Sequence, residues 1–116
     1  MRPNNGSCWF MRDRIVHAKD LLLSQLSAPP TLLKLAHQVG LNDRKLKQGF
    51  RQVFGTTVFG YLHNHRMTQA KQLLVLSGAT IAGVAQQVGY RSPEAFSAAF
   101  RRTFEINPKA YQLQKR

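Results

Sequence analysis

The sequence of 116 residues holds a single cysteine, Cys8, and only five acidic residues. One thiol can form neither an intrachain disulfide nor a cysteine-based zinc site, which is compatible with a reducing compartment. Five scattered carboxylates offer no paired acid–base site. His63 and His65 stand two apart on a helix and so face different ways, a poor metal pair. The chemistry of an enzyme is therefore not expected, nor any metal or cofactor. No apolar run approaches the roughly 18 residues of a membrane span. Met1–Ser7 lacks the apolar core of a secretion signal, and residues 1–12 read as a flexible N-terminal arm or the remnant of an upstream linker.

What the sequence does have is positive charge. Seventeen Lys and Arg against five Asp and Glu give a net +12. Such a surplus attracts polyanions, nucleic acid first and an anionic membrane surface second. The charge is uneven. Residues 31–76 carry seven basic side chains and one acid, while residues 1–30 reach only +2 and residues 77–116 reach +4. A hydrophobic fraction of 43% is enough for a core and too much for a disordered tail.

Strand patterns are scarce and helical ones common. Ile15, Ala18, Leu22 and Leu26 form one stripe, predicting a helix from about Asp13 to Leu26. Ala28-Pro29-Pro30 stops it. Thr31 is placed to cap a short helix through Gln38, with Gly40 as a left-handed stop. Asn42 caps a third helix to about Phe54, ended by Gly55. Thr57 caps a longer fourth helix to about Leu76, broken at Gly78. Thr80 opens a fifth, ended by Gly89. Ser92-Pro93 starts a sixth, with Phe96, Phe100 and Phe104 inward. Asn107-Pro108 repeats that device for a last turn bearing Tyr111. The expectation is an all-α chain of about seven helices.

Laid on itself, the chain repeats. Leu35-Ala36-His37-Gln38-Val39-Gly40 matches Val84-Ala85-Gln86-Gln87-Val88-Gly89 at an offset of 49. After the turn the offset is 50, pairing Leu46 with Phe96, Phe50 with Phe100, Arg51 with Arg101, Phe54 with Phe104 and Tyr61 with Tyr111. Short helix, glycine turn, capped helix and aromatic tail make the layout of a helix-turn-helix. Steeply crossing helices need small residues where they touch, so Ala36 is expected to meet Gly49, and Ala85 to meet Ala99. One such pair has a bland explanation as any two helices with a glycine stop. Two in register do not. The expected organisation is a first helix-turn-helix unit over 13–56, a linker helix over 57–76 and a second unit over 77–116.

With Arg66-Met67-x-x-Ala70-x-x-Leu73-Leu74 between the two units and Asn107-Pro108-x-x-Tyr111 at the close, the chain resembles the AraC/XylS family of bacterial transcription regulators over roughly residues 13–113. The first unit, Gly40 to Arg51 and Phe54 to Leu62, is most similar to the siderophore-responsive, pyochelin-regulator-like branch. The resemblance implies a cytoplasmic, sequence-specific DNA-binding regulator, with activation through RNA polymerase as the family expectation. It also implies a separate sensing or dimerising domain, which does not fit within these residues, so the chain is expected to be either a fragment of a longer regulator or a short stand-alone one. One departure stands out. Glu105 occupies the position where the family usually has glycine, so the helix end there must close without one.

In a helix-turn-helix the second helix lies in the major groove and its early residues reach base edges. In the first unit Arg44, Lys45, Lys47, Gln48 and Arg51 face away from the core. Arg and Lys match guanine O6 and N7, and Gln matches adenine N6 and N7. A merely solvated face is the plain alternative, but these charges are nearly all of one sign. In the second unit the face holds Glu94, Ser97 and Arg101. Glu94 suits cytosine N4 or simply the positive helix start. The first unit is therefore expected to discriminate and the second mainly to position. Asn42 and Ser92 are phosphate candidates, as are Arg102, Lys109, Lys115 and Arg116 by charge alone. Arg66 either braces the fold or touches phosphate. The fourth helix, about 20 residues and so about 30 Å long, matches the spacing of successive major-groove segments. A non-specific nucleoid or RNA-binding protein shares the charge but leaves the repeat unexplained. A membrane-active protein would need one sustained basic amphipathic helix.

Overall fold

A computed structural model describes residues 3–115, with side chains from Met11 onward. Arg116 lies outside the described residues, as do the first two residues of the expected arm. Among the described residues seven helices run in order: α1 (Pro3–Leu23), α2 (Leu32–Gln38), α3 (Asp43–Phe54), α4 (Val58–Leu74), α5 (Ile81–Gln87), α6 (Pro93–Phe104) and α7 (Pro108–Lys115). No strand occurs among the described residues. The fold is all-α.

The caps set the helix starts. The side chains of Thr31, Asn42, Thr57, Thr80, Ser92 and Asn107 each accept from the backbone N–H three residues on, at 2.8 to 3.1 Å. Each such bond satisfies a donor that has no partner within its helix, and is worth about 1 kcal/mol. The starts of α2 to α7 lie where these residue types predict.

Three helix ends differ from expectation. α1 reaches back to Pro3, so the backbone of residues 3–12, expected as an arm, continues the helix. Proline suits a first helical turn, and the polar run Asn4-Asn5-Gly6-Ser7 offers no apolar stripe that would reveal a helix. α1 also stops at Leu23 rather than Leu26: the Gln25 N–H turns back three residues to the Leu22 carbonyl, at 3.3 Å, and the Leu26 carbonyl beyond the helix accepts from Arg66. α4 ends at Leu74 rather than Leu76. There the buried Gln112 donates to the carbonyls of Leu74 and Ala79, at 2.9 and 2.8 Å, and closes the loop between α4 and α5.

The chain forms two compact units. The first comprises residues up to 25 and 29–62, the second residues 26–28 and 63–116. In the first, Ile15, Ala18 and Leu22 of α1 are fully buried along with Leu35, Ala36, Leu46 and Phe50. Phe50 packs against Phe54 and Tyr61 at ring distances of 4.8 and 5.6 Å. In the second, Met67, Ala70 and Leu74 of α4 join Val84, Ala85, Val88, Phe96, Ala99 and Phe100 in one cluster. Phe100 packs against Phe104 and Tyr111 at 4.8 and 5.6 Å, the same pair of distances. α4 is thus more than a connector, since its inner face is a wall of the second core.

The same comparison extends the repeat. Ile15, Ala18 and Leu22 correspond to Met67, Ala70 and Leu74 at an offset of 52. Each unit is therefore a helix followed by a helix-turn-helix, and α1 and α4 are equivalent. Gly49 also reads differently from the sequence expectation. A Cβ there would come within 2.6 Å of Ile15 Cδ1, so the close neighbour is α1 rather than Ala36 of α2. The second unit has Ala99 at the equivalent place, and Ala99 is buried.

Candidate nucleic-acid interface

α3 divides cleanly into two faces. Leu46, Gly49 and Phe50 are buried, and Asn42 fixes the start of the helix through Lys45 N–H. Arg44, Lys45, Lys47, Gln48 and Arg51 are all exposed. Among the described residues no carboxylate holds any of these cations in an ion pair. The pair that does form is Lys19 with Asp20 on α1, at 2.6 Å. That hydrogen bond pushes the Lys19 ammonium above its ordinary value. The α3 face is therefore a row of unneutralised donors, the requirement for both base edges and phosphate.

Beside that face lies a cavity of about 270 Å³ lined by Leu32, Lys47, Arg51, Thr57, Val58 and Phe59. Its apolar walls give the aliphatic stems of Lys47 and Arg51 something to lie against while their heads stay hydrated. Phe59 is one of the exposed large hydrophobic residues.

α6 is built the same way and carries different chemistry. Phe96, Ala99 and Phe100 are buried, and Ser92 caps through Ala95 N–H. At the offset of 50, Arg44 becomes Glu94, Lys47 becomes Ser97, Gln48 becomes Ala98, and only Arg51 keeps its type as Arg101. Glu94 and Arg101 are exposed and Ser97 is half-buried. Arg102 and Lys109 are exposed as well. The structure therefore brings the predicted residues onto two equivalent helix faces, one strongly basic and one mixed.

The phosphate candidates Asn42 and Ser92 spend their side-chain oxygens as caps. The Asn42 amide and the Ser92 hydroxyl proton remain as their donor groups. Lys115 sits 6.0 Å from the Tyr111 ring centre. Lys71, which the sequence reading did not single out, lies 3.9 Å from the centre of the Phe104 ring, and so serves the packing of the second unit. His63 bonds Thr103 Oγ1 at 2.9 Å. No group of three or more His, Cys, Asp or Glu able to hold a metal occurs among the described residues. Nor is any described helix long and apolar enough to cross a membrane.

Glu105 closes α6 in the left-handed conformation, φ 61°, with its N–H bonded to Arg101 O at 2.8 Å. Gly55 does the same at the end of α3, φ 73°, bonded to Arg51 O at 2.8 Å. The end geometry survives the loss of glycine, at a conformational cost.

The helix-turn-helix domain model matches residues 35–114. This chain belongs to the AraC-type helix-turn-helix family. Regulatory protein PchR of Pseudomonas aeruginosa is 52% identical over 62 residues, which is 53% of this chain and 21% of that protein. The HTH-type transcriptional regulator AlkR of Acinetobacter baylyi is 41% identical over 112 residues, 97% of this chain and 37% of that protein. Among solved structures, an AraC-type regulator from Chromobacterium violaceum superposes with a TM-score of 0.77 at 27% identity, covering 90% of this chain and 93% of that one. The DNA-binding domain of AdpA, solved in complex with a target DNA, gives 0.77 at 28% identity, covering 87% and 91%. The AraC-type chain described here spans less than two fifths of the length of these two curated relatives. The match is to the helix-turn-helix domain that AraC-type DNA-binding regulators share.

Proposed function

We propose that α3 is the principal base-reading helix, with Arg44, Lys45, Lys47, Gln48 and Arg51 reaching base edges in one major-groove segment. α6 reads a second segment with Glu94, Ser97 and Arg101, and discriminates less. Asn42, Ser92, Arg102 and Lys109 bind phosphate and set the register. The observation that carries this reading is the contrast between two equivalent helix faces, one bearing a row of unpaired cations and the other nearly balanced. The regulator to which this domain belongs acts in the cytoplasm on double-stranded DNA, as an activator contacting RNA polymerase. Relatives named as transcriptional activators, such as RhaR of Klebsiella pneumoniae at 33% identity, support that sign of regulation. Operators beside iron-uptake genes are the first to examine, given the first unit's resemblance to the pyochelin-regulator-like branch.

Selection of bound sequences from random duplex DNA tests the reading. The expected site has two blocks of preferred bases about 10 base pairs apart centre to centre, one block sharper than the other. Equal affinity for the selected site and for random duplex would overturn it.

A further inference from the structure

Arg66, whose role the sequence left open, is half-buried on α4. Its Nη2 donates to the carbonyl of Leu26. Its Cζ lies 5.2 Å from the centre of the Tyr90 ring. The same Nη2 would lie 3.0 Å from a Cβ built on Gly89, and that Cβ would also collide with the Leu26 carbonyl. Gly89 is the left-handed residue, φ +98°, in the turn between α5 and α6. The space against which this turn closes is thus filled by the guanidinium and by the carbonyl it holds.

The first unit carries the same device. Arg14 stands 52 residues before Arg66, at the offset that relates α1 to α4. Its Nη1 donates to the carbonyl of Gly40 at 2.9 Å and would lie 3.2 Å from a Cβ there. The two differ in burial. Arg14 is exposed, so its bond competes with water. Arg66 has a buried Nε with no hydrogen-bond partner, so its head is committed to the interior.

We propose that Arg66 is a positioning residue for the second reading helix, acting through the Gly89–Tyr90 turn, and that Arg14 is its weaker counterpart at the first turn. Tyr90 precedes the Ser92 cap of α6 by two residues, so a shift of the turn displaces the first turn of α6 and with it Glu94 and Ser97. Arg66 then raises preference for the second segment without touching DNA. The inference rests on the reading role proposed for α6.

The test compares the whole chain with R66K and R66M on three duplexes across a salt series. These are the selected operator, the operator with its second block scrambled, and random DNA, with folded fraction followed by circular dichroism. Both variants are expected to lose about tenfold on the operator, a loss on the scale of a mismatched base pair. Affinity for random DNA should hold within about twofold and the salt slope should stay unchanged, because no phosphate contact is lost. Lysine is not expected to rescue, since it lacks the forked, planar head. Rescue by R66K, together with a salt slope lowered by about one in R66M, would identify a phosphate contact and overturn the proposal. So would equal losses on all three duplexes, or none. R14M supplies a variant at an exposed position that leaves the core intact. It should flatten base preference in the first block only, and a change in the second block would also overturn the proposal. If the unmutated chain itself shows no operator preference, the reading role of α6 fails instead.

Discussion

Replacing Glu105 by glycine should stabilise the second unit. Glu105 is the one non-glycine residue with positive φ among the described residues. Holding an L-residue in that region costs about 1–2 kcal/mol. Its carboxylate also sits at the negative end of the α6 dipole, a further cost of about 0.3–1 kcal/mol at an exposed site. Glycine removes both costs. It also gives the unfolded chain more freedom, which returns about 0.4–1 kcal/mol to the unfolded state. The balance is a gain of about 1 kcal/mol, which raises the thermal midpoint by about 4 °C for a domain of this size. Urea unfolding followed by circular dichroism measures it, with E105Q as the control that removes charge and keeps the Cβ. E105Q should recover less than half of the gain. The reverse change, Gly55→Glu at the equivalent end of α3, should lose about 1 kcal/mol or slightly more for the same reasons. No gain from E105G, or a gain fully reproduced by E105Q, would refute the claim that left-handed strain dominates at this helix end.

Three further outcomes are expected. Arg44→Ala and Lys47→Ala should each relax base preference in the sharper block by about 1–3 kcal/mol, whereas Lys109→Ala should weaken all duplexes alike, as quantitative gel shifts would reveal. Gly49→Ala should destabilise the first unit by about 1–3 kcal/mol through overlap with Ile15. A double-mutant cycle with Ile15→Val should show favourable coupling, and its absence would mean that α1 is not what restricts Gly49. Gln112→Leu should cost about 1–3 kcal/mol, because the Leu74 and Ala79 carbonyls lose their donor, and amide exchange should speed up in the loop between α4 and α5.

Capping chemistry made most of the fold legible. A Thr, Asn or Ser before an apolar-periodic run states where a helix starts, and all six predicted caps are made. The aromatic spacing of Phe50, Phe54 and Tyr61 against Phe100, Phe104 and Tyr111 exposed the repeat for a similar reason, since each set fills one core. Helix ends were less legible because they depend on distant partners. Nothing near Leu26 or Leu74 in sequence announces that Arg66 or Gln112 will take its carbonyl. The equivalence of α1 with α4 was written in the sequence at a third offset, in Arg14 and Arg66, Ala18 and Ala70, Lys19 and Lys71, and Leu22 and Leu74. It was obscured because the stretch from Leu22 to Leu35 is three residues longer than its equivalent from Leu74 to Val84, so the offset changes from 52 to 49. The exposed α3 face was legible as soon as Leu46, Gly49 and Phe50 were assigned to the core, since the remaining positions have only one side left.

The two units show which parts of a helix-turn-helix are free to diverge. The caps, the inward aromatics, the turn-facing arginines and the left-handed helix end recur in both, because each answers a constraint internal to the unit. Even Glu105 keeps the backbone geometry that glycine gives at Gly55. The outward positions obey no such constraint. Between α3 and α6 they change from Arg44, Lys47 and Gln48 to Glu94, Ser97 and Ala98 while the buried set stays apolar. Two frames this similar bearing faces this different are what separate demands on the two faces would leave. A protein that needed only positive charge would have no cause to exchange Arg44 for Glu94, since a carboxylate on a DNA-facing helix lowers affinity for every duplex alike. Such a cost is repaid where the carboxylate accepts from a particular base, or where it strengthens the start of α6 and leaves most base discrimination to α3.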